Sequence, residues 1–126
     1  GEIERNKDAT IFPDPVSSAQ FKDGGAYTRV ANITSDYGNI DTEFIEADLQ
    51  RLGITAEAHF QIKYGEGKFK IFLGMSYGDV PRGEWVAFLT AEGQLRIARN
   101  FENAAQTLGC GEGNKIFIAA ATISKE

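Results

Sequence analysis

Strict alternation of apolar and polar residues is the feature that most limits what this sequence can fold into. Across residues 56–64 every second residue is apolar, and charged or polar residues stand between them. A period of two is typical of a strand with one face in a core and the other in water. A Gly-Glu-Gly turn signal at residues 65–67 and a second apolar alternation over residues 69–75 follow directly. The segment therefore predicts a β-hairpin.

Further strands and two short helices are predicted around this hairpin. Strand patterns occupy residues 28–34, 85–90, 95–100 and 115–123. A first helix is indicated by the spacing of Phe44, Ile45, Leu49 and Leu52, with Asp41 or Thr42 as its cap and Gly53 as its stop. Residues 102–108, followed by Gly109, favour a second. Because strands and helices do not alternate regularly, we predict a mainly all-β fold: a small closed antiparallel β-barrel of about six or seven strands with one or two short helices.

The chain is expected to form one domain preceded by an arm. Its 126 residues are enough for a single core without disulfide support. Residues 1–26 are interpreted as an extended arm or linker, because Pro13 and Pro15 hold their neighbours in extended conformations. Residues 27–126 are assigned to the barrel domain.

Composition disfavours several classes of function. The chain carries 13 Lys and Arg against 18 Asp and Glu, a net charge of -5, so neither nucleic acid nor a membrane surface is an expected partner. A single cysteine excludes an internal disulfide. A single histidine excludes a Cys/His zinc cluster within the chain, and we expect neither a metal nor a cofactor.

Three isolated candidates for chemistry carry little weight. His59 lies on the polar side of its strand with one carboxylate nearby, which favours an ordinary exposed histidine. Cys110 has no adjacent basic residue that would activate its thiol. The glycine-rich residues 109–115 precede a strand, whereas a phosphate-binding loop opens a helix.

Two polar clusters at predicted strand ends are better candidates for a binding site. Tyr37 and Asn39 flank a glycine after the first strand, and Arg99, Asn100 and Phe101 end a later one. Aromatic faces beside amide and backbone donors suit a nucleobase, through stacking and through hydrogen bonds to its edge. The alternative is purely structural, with turn-forming asparagines and capping aromatic residues.

The sequence resembles a known family in two long segments. Residues 30–44, VANITSDYGNIDTEF, resemble the segment that opens the C-terminal domain of the S-adenosylmethionine (SAM) hydroxide adenosyltransferases and the related fluorinases and chlorinases. Residues 76–118 are similar to the later half of that domain, including its Gly-Glu pair, a strand that ends in Asn, and an Asn-Ala-Ala segment. Together the matches cover roughly residues 28–120.

The resemblance implies a β-barrel that is one half of an enzyme. In that family a larger N-terminal domain supplies the ribose-binding Asp and most of the nucleophile pocket, and sites form against the barrel of a neighbouring subunit in a trimer. The expected partners are thus an N-terminal catalytic domain or another protein, further copies in a homotrimer, and an adenosine-type small molecule. The resemblance also implies that Asn39 binds the adenine edge, that Tyr37 and Tyr77 pack around the adenosine, and that the backbone around Arg99, Asn100 and Phe101 meets the adenine.

Three departures from the family pattern concern the methionine end of SAM. Glu43 stands within the family's Thr-Asn-Ile, and Ala91 and Glu92 replace the start of a Ser-x-Gly turn. A lost hydroxyl removes about 0.5–1.5 kcal/mol. A carboxylate at Glu92 would repel the ligand's carboxylate. We therefore expect adenine recognition to be retained and SAM recognition to be weakened.

The leading hypothesis is an adenosine- or SAM-contacting barrel domain that has no catalytic residues of its own. Completed by an N-terminal domain, it would serve in the hydrolysis of SAM to adenosine and methionine. The alternatives are a freestanding module for a nucleoside-like ligand and a protein-interaction domain that has lost catalysis. Family analogy places the protein in the cytoplasm, and export after signal-peptide removal is the alternative.

Overall fold

In the part of the chain that the structure describes, eight strands joined edge to edge in one closed sheet dominate the fold. The computed structural model describes residues 16–35 and 37–121. The strands are β1 (Gln20–Lys22), β2 (Gly25–Ile33), β3 (Ile40–Ile45), β4 (His59–Tyr64), β5 (Gly67–Leu73), β6 (Trp85–Leu89), β7 (Gln94–Arg99) and β8 (Lys115–Ala120). The helices are α1 (Glu46–Leu52), α2 (Ala104–Leu108) and a short 3-10 helix (Tyr77–Asp79). None of these helices is long and apolar enough to span a membrane.

The strand order closes a seven-strand barrel. The order is β1-β2-β3-β7-β6-β5-β4-β8, and β8 pairs again with β2, so that β1 is an additional strand. The predicted mainly-β fold and the closed barrel of six or seven strands are confirmed, although the barrel is mixed where a purely antiparallel one was predicted. One pairing differs, because β5 and β6 run parallel, with Phe72 opposite Val86. Residues 74–84 form a long connection there instead of a hairpin turn, and this connection allows β6 to run in the direction of β5.

The barrel interior is filled by the inward-facing side chains of the strands. Phe60 and Ile62 of β4 are fully buried, whereas His59 and Lys63 are exposed. The alternation predicted for residues 56–64 is therefore confirmed from His59 onward, whereas residues 56–58 precede the strand and Ala56 is exposed. Other fully buried side chains are Phe44, Ile40, Ile71, Leu95, Ile97, Ile116 and Ile118.

A second, smaller apolar cluster lies outside the barrel. Val80, Val86 and Ala98 form its buried centre, and Phe72, Tyr77 and Phe88 pack against them. The cluster lies beneath the β5–β6 connection, and the Tyr77 ring meets the Phe88 ring edge to face, with centroids 5.2 Å apart. It therefore anchors the 3-10 helix on the sheet.

The predicted start of the first helix is wrong. Residues 40–45 form β3, paired with both β2 and β7, and α1 begins only at Glu46. Thr42 does not cap the helix, because it is buried and its hydroxyl donates to the Leu95 carbonyl at 2.8 Å. Asp48 instead accepts a hydrogen bond from the backbone N–H of Ile45 at 2.9 Å. Pairing with distant strands outweighed the local helical spacing.

Both predicted helix stops are confirmed. Gly53 and Gly109 follow α1 and α2 in the left-handed conformation, each with a φ of 77°. The second helix is shorter than predicted and begins after Asn103, whose side chain accepts from the backbone N–H of Gln106 at 2.8 Å.

Most of the predicted arm, residues 1–15, lies outside the described residues. Within the remainder of that arm, Gln20–Lys22 forms β1 and pairs with β2 across a tight turn. Asp23 and Gly24 occupy this turn with φ values of 59° and 81°, as a two-residue hairpin turn requires. The predicted last strand ends at Ala120, and residues 122–126 are likewise outside the described part.

Candidate functional site

A cavity of about 660 Å³ opens where three connections of the barrel meet. They are the turn between β2 and β3, the 3-10 helix before β6, and the link from β7 to α2. All six predicted site residues line it. They are Tyr37, Asn39, Tyr77, Arg99, Asn100 and Phe101, joined by Glu102 and Asn103. The cavity has the size of an ordinary small-molecule site.

The β2–β3 turn fixes the backbone on one side of this cavity. The backbone N–H of Asn39 donates to the Thr34 hydroxyl at 3.0 Å, and the Thr34 N–H donates to the Asn39 carbonyl at 3.0 Å. Gly38 has a φ of 65°, and its carbonyl accepts from the N–H of Ala105 at 2.8 Å. A Cβ at position 38 would lie 1.9 Å from Oδ1 of Asn103. The turn therefore needs glycine both for its conformation and for its close approach to α2.

Asn39 carries the most informative polar atom in the structure. Its side chain is 2% exposed, and its Nδ2 donates to the Tyr77 hydroxyl. Its Oδ1 has no hydrogen-bond partner, and no other buried side-chain polar atom in the described part of the chain is left without one. Buried polar atoms are nearly always paired, and an unpaired one costs about 1–3 kcal/mol. Oδ1 is thus an acceptor that a ligand donor can satisfy.

Tyr77 supplies the complementary donor. Its hydroxyl oxygen accepts from Asn39, which leaves its own proton free to donate. An acceptor and a donor therefore lie side by side at the cavity wall. This pair matches the edge of a heterocycle that presents an amino group beside a ring nitrogen.

Arg99 lines the cavity, but its guanidinium donates its hydrogen bonds to other residues of the protein. Nε and Nη2 donate to the Gly83 carbonyl at 2.9 and 2.7 Å, and Nη1 donates to the Thr107 hydroxyl at 3.0 Å. Asn100 is also engaged, because its Nδ2 donates to the Val80 carbonyl at 2.9 Å. The structure therefore gives these two side chains a supporting role and leaves the backbone around them beside the cavity.

Tyr37 and Phe101 expose their rings at the same cavity. Tyr37 is 69% exposed and Phe101 is 74% exposed. Exposed aromatic rings that line one cavity suit a planar ligand, since each can offer a face for stacking.

Sequence reasoning missed a charged network behind the cavity. Arg96 binds Asp41 through two hydrogen bonds, Nε to Oδ1 at 2.6 Å and Nη2 to Oδ2 at 3.1 Å. The hydrogen bond with Asp41 is the main cause that raises the pKa of Arg96 above its ordinary value, and the Tyr77 phenol adds a smaller contribution. The two residues become neighbours only through the β3–β7 register, which the local pattern does not reveal.

Arg96→Lys is expected to lower the free energy of unfolding by about 1 kcal/mol, because lysine cannot make the two-pronged contact with Asp41. Arg29→Lys is the matched control. Arg29 is 3.6 Å from Glu43, and its side chain is 66% exposed, so the change should cost less than about 0.5 kcal/mol. Urea denaturation measures both, and equal losses would contradict a special role for the Arg96 pair.

The other sequence candidates lie away from this cavity. His59 is exposed, with its ring against the edge of Phe72. Burial raises the pKa of the half-buried Cys110 thiol, which makes it less reactive. Residues 109–115 lead straight into β8. No group of three or more potential metal ligands occurs among residues 16–35 and 37–121.

The three departures from the family pattern do not line the cavity either. Glu43 accepts a hydrogen bond from Ser18 at 2.9 Å and faces Arg29 on the outer surface. Ala91 and Glu92 belong to the turn between β6 and β7. They therefore do not contact the part of a ligand that this cavity holds.

A second cavity, of about 640 Å³, lies beside α1. It is bordered by α1, by the end of β5 and by Met75, which is 87% exposed. The buried unpaired acceptor belongs to the first cavity, so that cavity is the stronger candidate for a polar ligand.

Comparison with protein families shows to which family the chain belongs. The family described as the SAM hydroxide adenosyltransferase C-terminal domain matches residues 29–117. The chain belongs to this family. The match includes all three connections that form the cavity, from the β2–β3 turn to the link between β7 and α2. A search of curated proteins finds no match to this SAM hydroxide adenosyltransferase C-terminal domain.

Solved structures share the fold of this SAM hydroxide adenosyltransferase C-terminal domain. An uncharacterized conserved protein from Thermotoga maritima has a TM-score of 0.75 and 25% identity, over 81% of this chain and 38% of its own. A conserved hypothetical protein from Thermus thermophilus has a TM-score of 0.54 and 24% identity, over 75% of this chain and 35% of its own. The chain thus spans little more than a third of the length of these relatives.

Proposed function

We propose that this barrel binds adenosine, or the adenosyl part of SAM, in the cavity between the β2–β3 turn and the end of β7. The observation that carries the proposal is the buried, unpaired Oδ1 of Asn39 beside the Tyr77 hydroxyl. Adenine presents an amino donor next to a ring-nitrogen acceptor. Its amino group would donate to Asn39 and its ring nitrogen would accept from Tyr77.

The aromatic residues at the cavity supply the remaining contacts of the proposed site. Tyr37 and Phe101 would stack on the faces of the base. Two stacking contacts and two hydrogen bonds, at about 0.5–1.5 kcal/mol each, amount to a few kcal/mol. The barrel alone should therefore bind adenosine with a Kd in the millimolar range.

The cavity supports binding more than chemistry. Among its lining residues only Glu102 is a carboxylate, and no described histidine, cysteine or aspartate lies there. We propose that a further domain or partner supplies the nucleophile pocket. The family resemblance favours a homotrimer as the assembly in which it does so. In that assembly the oxygen of water or hydroxide would bond to the ribose C5′ while the C5′–S bond breaks. The sulfur electron pair would leave with methionine, and an attacking water would release its proton to solvent.

An amide NMR titration with adenosine and with inosine tests the proposed site. Inosine replaces the amino group by a carbonyl oxygen, which would face Oδ1 of Asn39 without a hydrogen bond. We expect adenosine to shift the amides of Tyr37, Asn39, Tyr77 and residues 99–101, with an affinity about tenfold above that of inosine. A titration with SAM shows whether the methionine end adds affinity. Equal binding of the two nucleosides, or no shifts at these residues, would contradict the proposal.

A protein-docking role is the second candidate, and the exposed Met75 beside the second cavity favours it. Met75 borders this cavity together with Leu49, Leu73, Phe88 and Leu89, and contiguous apolar surface of this kind is a mark of an interaction site. Met75→Lys would then weaken the association of the barrel with a catalytic domain without changing the adenosine titration. Unaltered association would argue against this surface.

A further inference from the structure

Phe101 combines an exposed side chain with an unfavourable backbone conformation. Its ring is 74% exposed, and its φ is 66°, in the left-handed region. That region costs free energy for any residue with a Cβ, and an exposed ring recovers little of it through burial. Contacts from other parts of the fold must therefore hold Phe101 in this conformation.

The connection before β6 holds the backbone beside Phe101. The Gly83 N–H donates to the Asn100 carbonyl at 2.7 Å, and the Asn100 N–H donates to the Glu84 carbonyl at 3.0 Å. The side chains of Arg99 and Asn100 add bonds to the carbonyls of Gly83 and Val80, as described above. The connection is thus bonded to Arg99 and Asn100 at the end of β7. The Glu102 N–H donates to the Arg99 carbonyl at 3.2 Å, which places Phe101 at the third position of a tight turn, where a positive φ occurs.

Arg82, in the same connection, lies over one face of the Phe101 ring. The guanidinium carbon of Arg82 lies 4.8 Å from the centroid of the Phe101 ring. Arg82 forms no ion pair within the described part of the chain. It is not among the residues that line the cavity, whereas Phe101 is. The guanidinium therefore supports the ring without itself bordering the space that a ligand would occupy.

We propose that Arg82 is a positioning residue that fixes the Phe101 ring as a wall of the cavity. With the ring held from outside by a cation–π contact, the cavity selects ligands that offer a flat face to it. This inference rests on the proposed function for the identity of the ligand, a purine nucleoside. The contact between Arg82 and the Phe101 ring is present without any ligand, so this part of the proposal does not depend on the proposed function.

Fluorine NMR of protein labelled with 4-fluorophenylalanine tests the hold of Arg82 on the ring. The Phe101 signal is assigned from Phe101→Leu. Without ligand, Arg82→Ala should move the Phe101 signal toward that of a free side chain, and Arg82→Lys should restore most of the difference. Arg51→Ala is the matched control, because Arg51 lies 3.9 Å from the Phe21 ring and should affect only that signal. An unchanged Phe101 signal in Arg82→Ala would overturn the proposal.

Adenosine titrations of the same variants test whether Arg82 affects ligand binding through the Phe101 ring. Arg82→Ala should weaken adenosine binding about two- to fivefold, Arg82→Lys should recover most of the loss, and Arg51→Ala should bind as the parent does. The melting temperatures of Arg82→Ala and Arg82→Lys should agree, which separates positioning from general stability. If Arg51→Ala weakened adenosine binding as much as Arg82→Ala does, the proposed effect of Arg82 on ligand binding would be overturned. If the parent protein does not bind adenosine, the proposed function and ligand selection fail together, and the fluorine signals still decide whether Arg82 holds the ring.

Discussion

Gly38→Ala is expected to lower the free energy of unfolding by about 2–4 kcal/mol. A left-handed conformation costs a residue with a Cβ about 1–2 kcal/mol, and Gly38 has a φ of 65°. The new methyl group would also meet the Asn103 side chain at 1.9 Å, which forces α2 or the β2–β3 turn to move. Urea denaturation, compared with the parent protein, measures the loss.

Gly53→Ala is the matched control for this substitution. Gly53 has a similar φ of 77°, and no atom lies within 4 Å of the position where its Cβ would be. It should therefore show only the backbone cost of about 1–2 kcal/mol. In a double-mutant cycle, Asn103→Ala should reduce the penalty of Gly38→Ala because the clashing atoms are removed. Equal losses at Gly38 and Gly53 would show that the contact with Asn103 carries no energy.

Asn39→Leu is expected to weaken adenosine binding by at least about tenfold while the stability changes by less than about 1 kcal/mol. Leucine has the same branched arrangement of heavy atoms but removes the acceptor that we assign to the adenine amino group. It also removes the buried Oδ1 that is unpaired in the free protein, which offsets the lost bond to Tyr77. Chemical denaturation and the nucleoside titration measure the two effects separately.

Asn100→Leu provides the contrast. Its Nδ2 already donates to the Val80 carbonyl, so its replacement should cost about 1 kcal/mol of stability through a lost internal hydrogen bond. The two substitutions therefore separate an amide retained for a ligand from an amide retained for the fold. Adenosine binding by Asn39→Leu at the affinity of the parent would contradict the assigned role of Asn39.

Local patterns predicted most of the strands and both helix stops, but they failed where distant pairing decides. The alternation of β4 and the stops at Gly53 and Gly109 are local signals, and each is present in the structure. Residues 40–45 carry helical spacing and yet form β3, because β2 and β7 pair with them from either side. The parallel β5–β6 pair likewise depends on the path of the connection formed by residues 74–84, which no local sequence pattern indicates.

The six predicted residues lie at one cavity, but the hydrogen bonds of their side chains could not be predicted from the sequence. Strand-end clusters and the family resemblance pointed to the six residues that share the cavity. That Arg99 and Asn100 direct their side chains to the β5–β6 connection depends on hydrogen bonds across the fold. The contact of Arg82 with Phe101 depends on the same connection, and the sequence carries no signal for it.

The return of β8 to β2 has a consequence for how the chain is made. Ala26 pairs with Ile118, so the last pairing of the barrel joins segments separated by most of the chain. Contacts of such high sequence separation form slowly, and they leave β2 and β4 with unpaired edges on a nascent chain until β8 has emerged from the ribosome. Exposed edges of this kind template aggregation. Shortening the chain within β8 should therefore expose it to aggregation during synthesis, even though the cavity lies elsewhere.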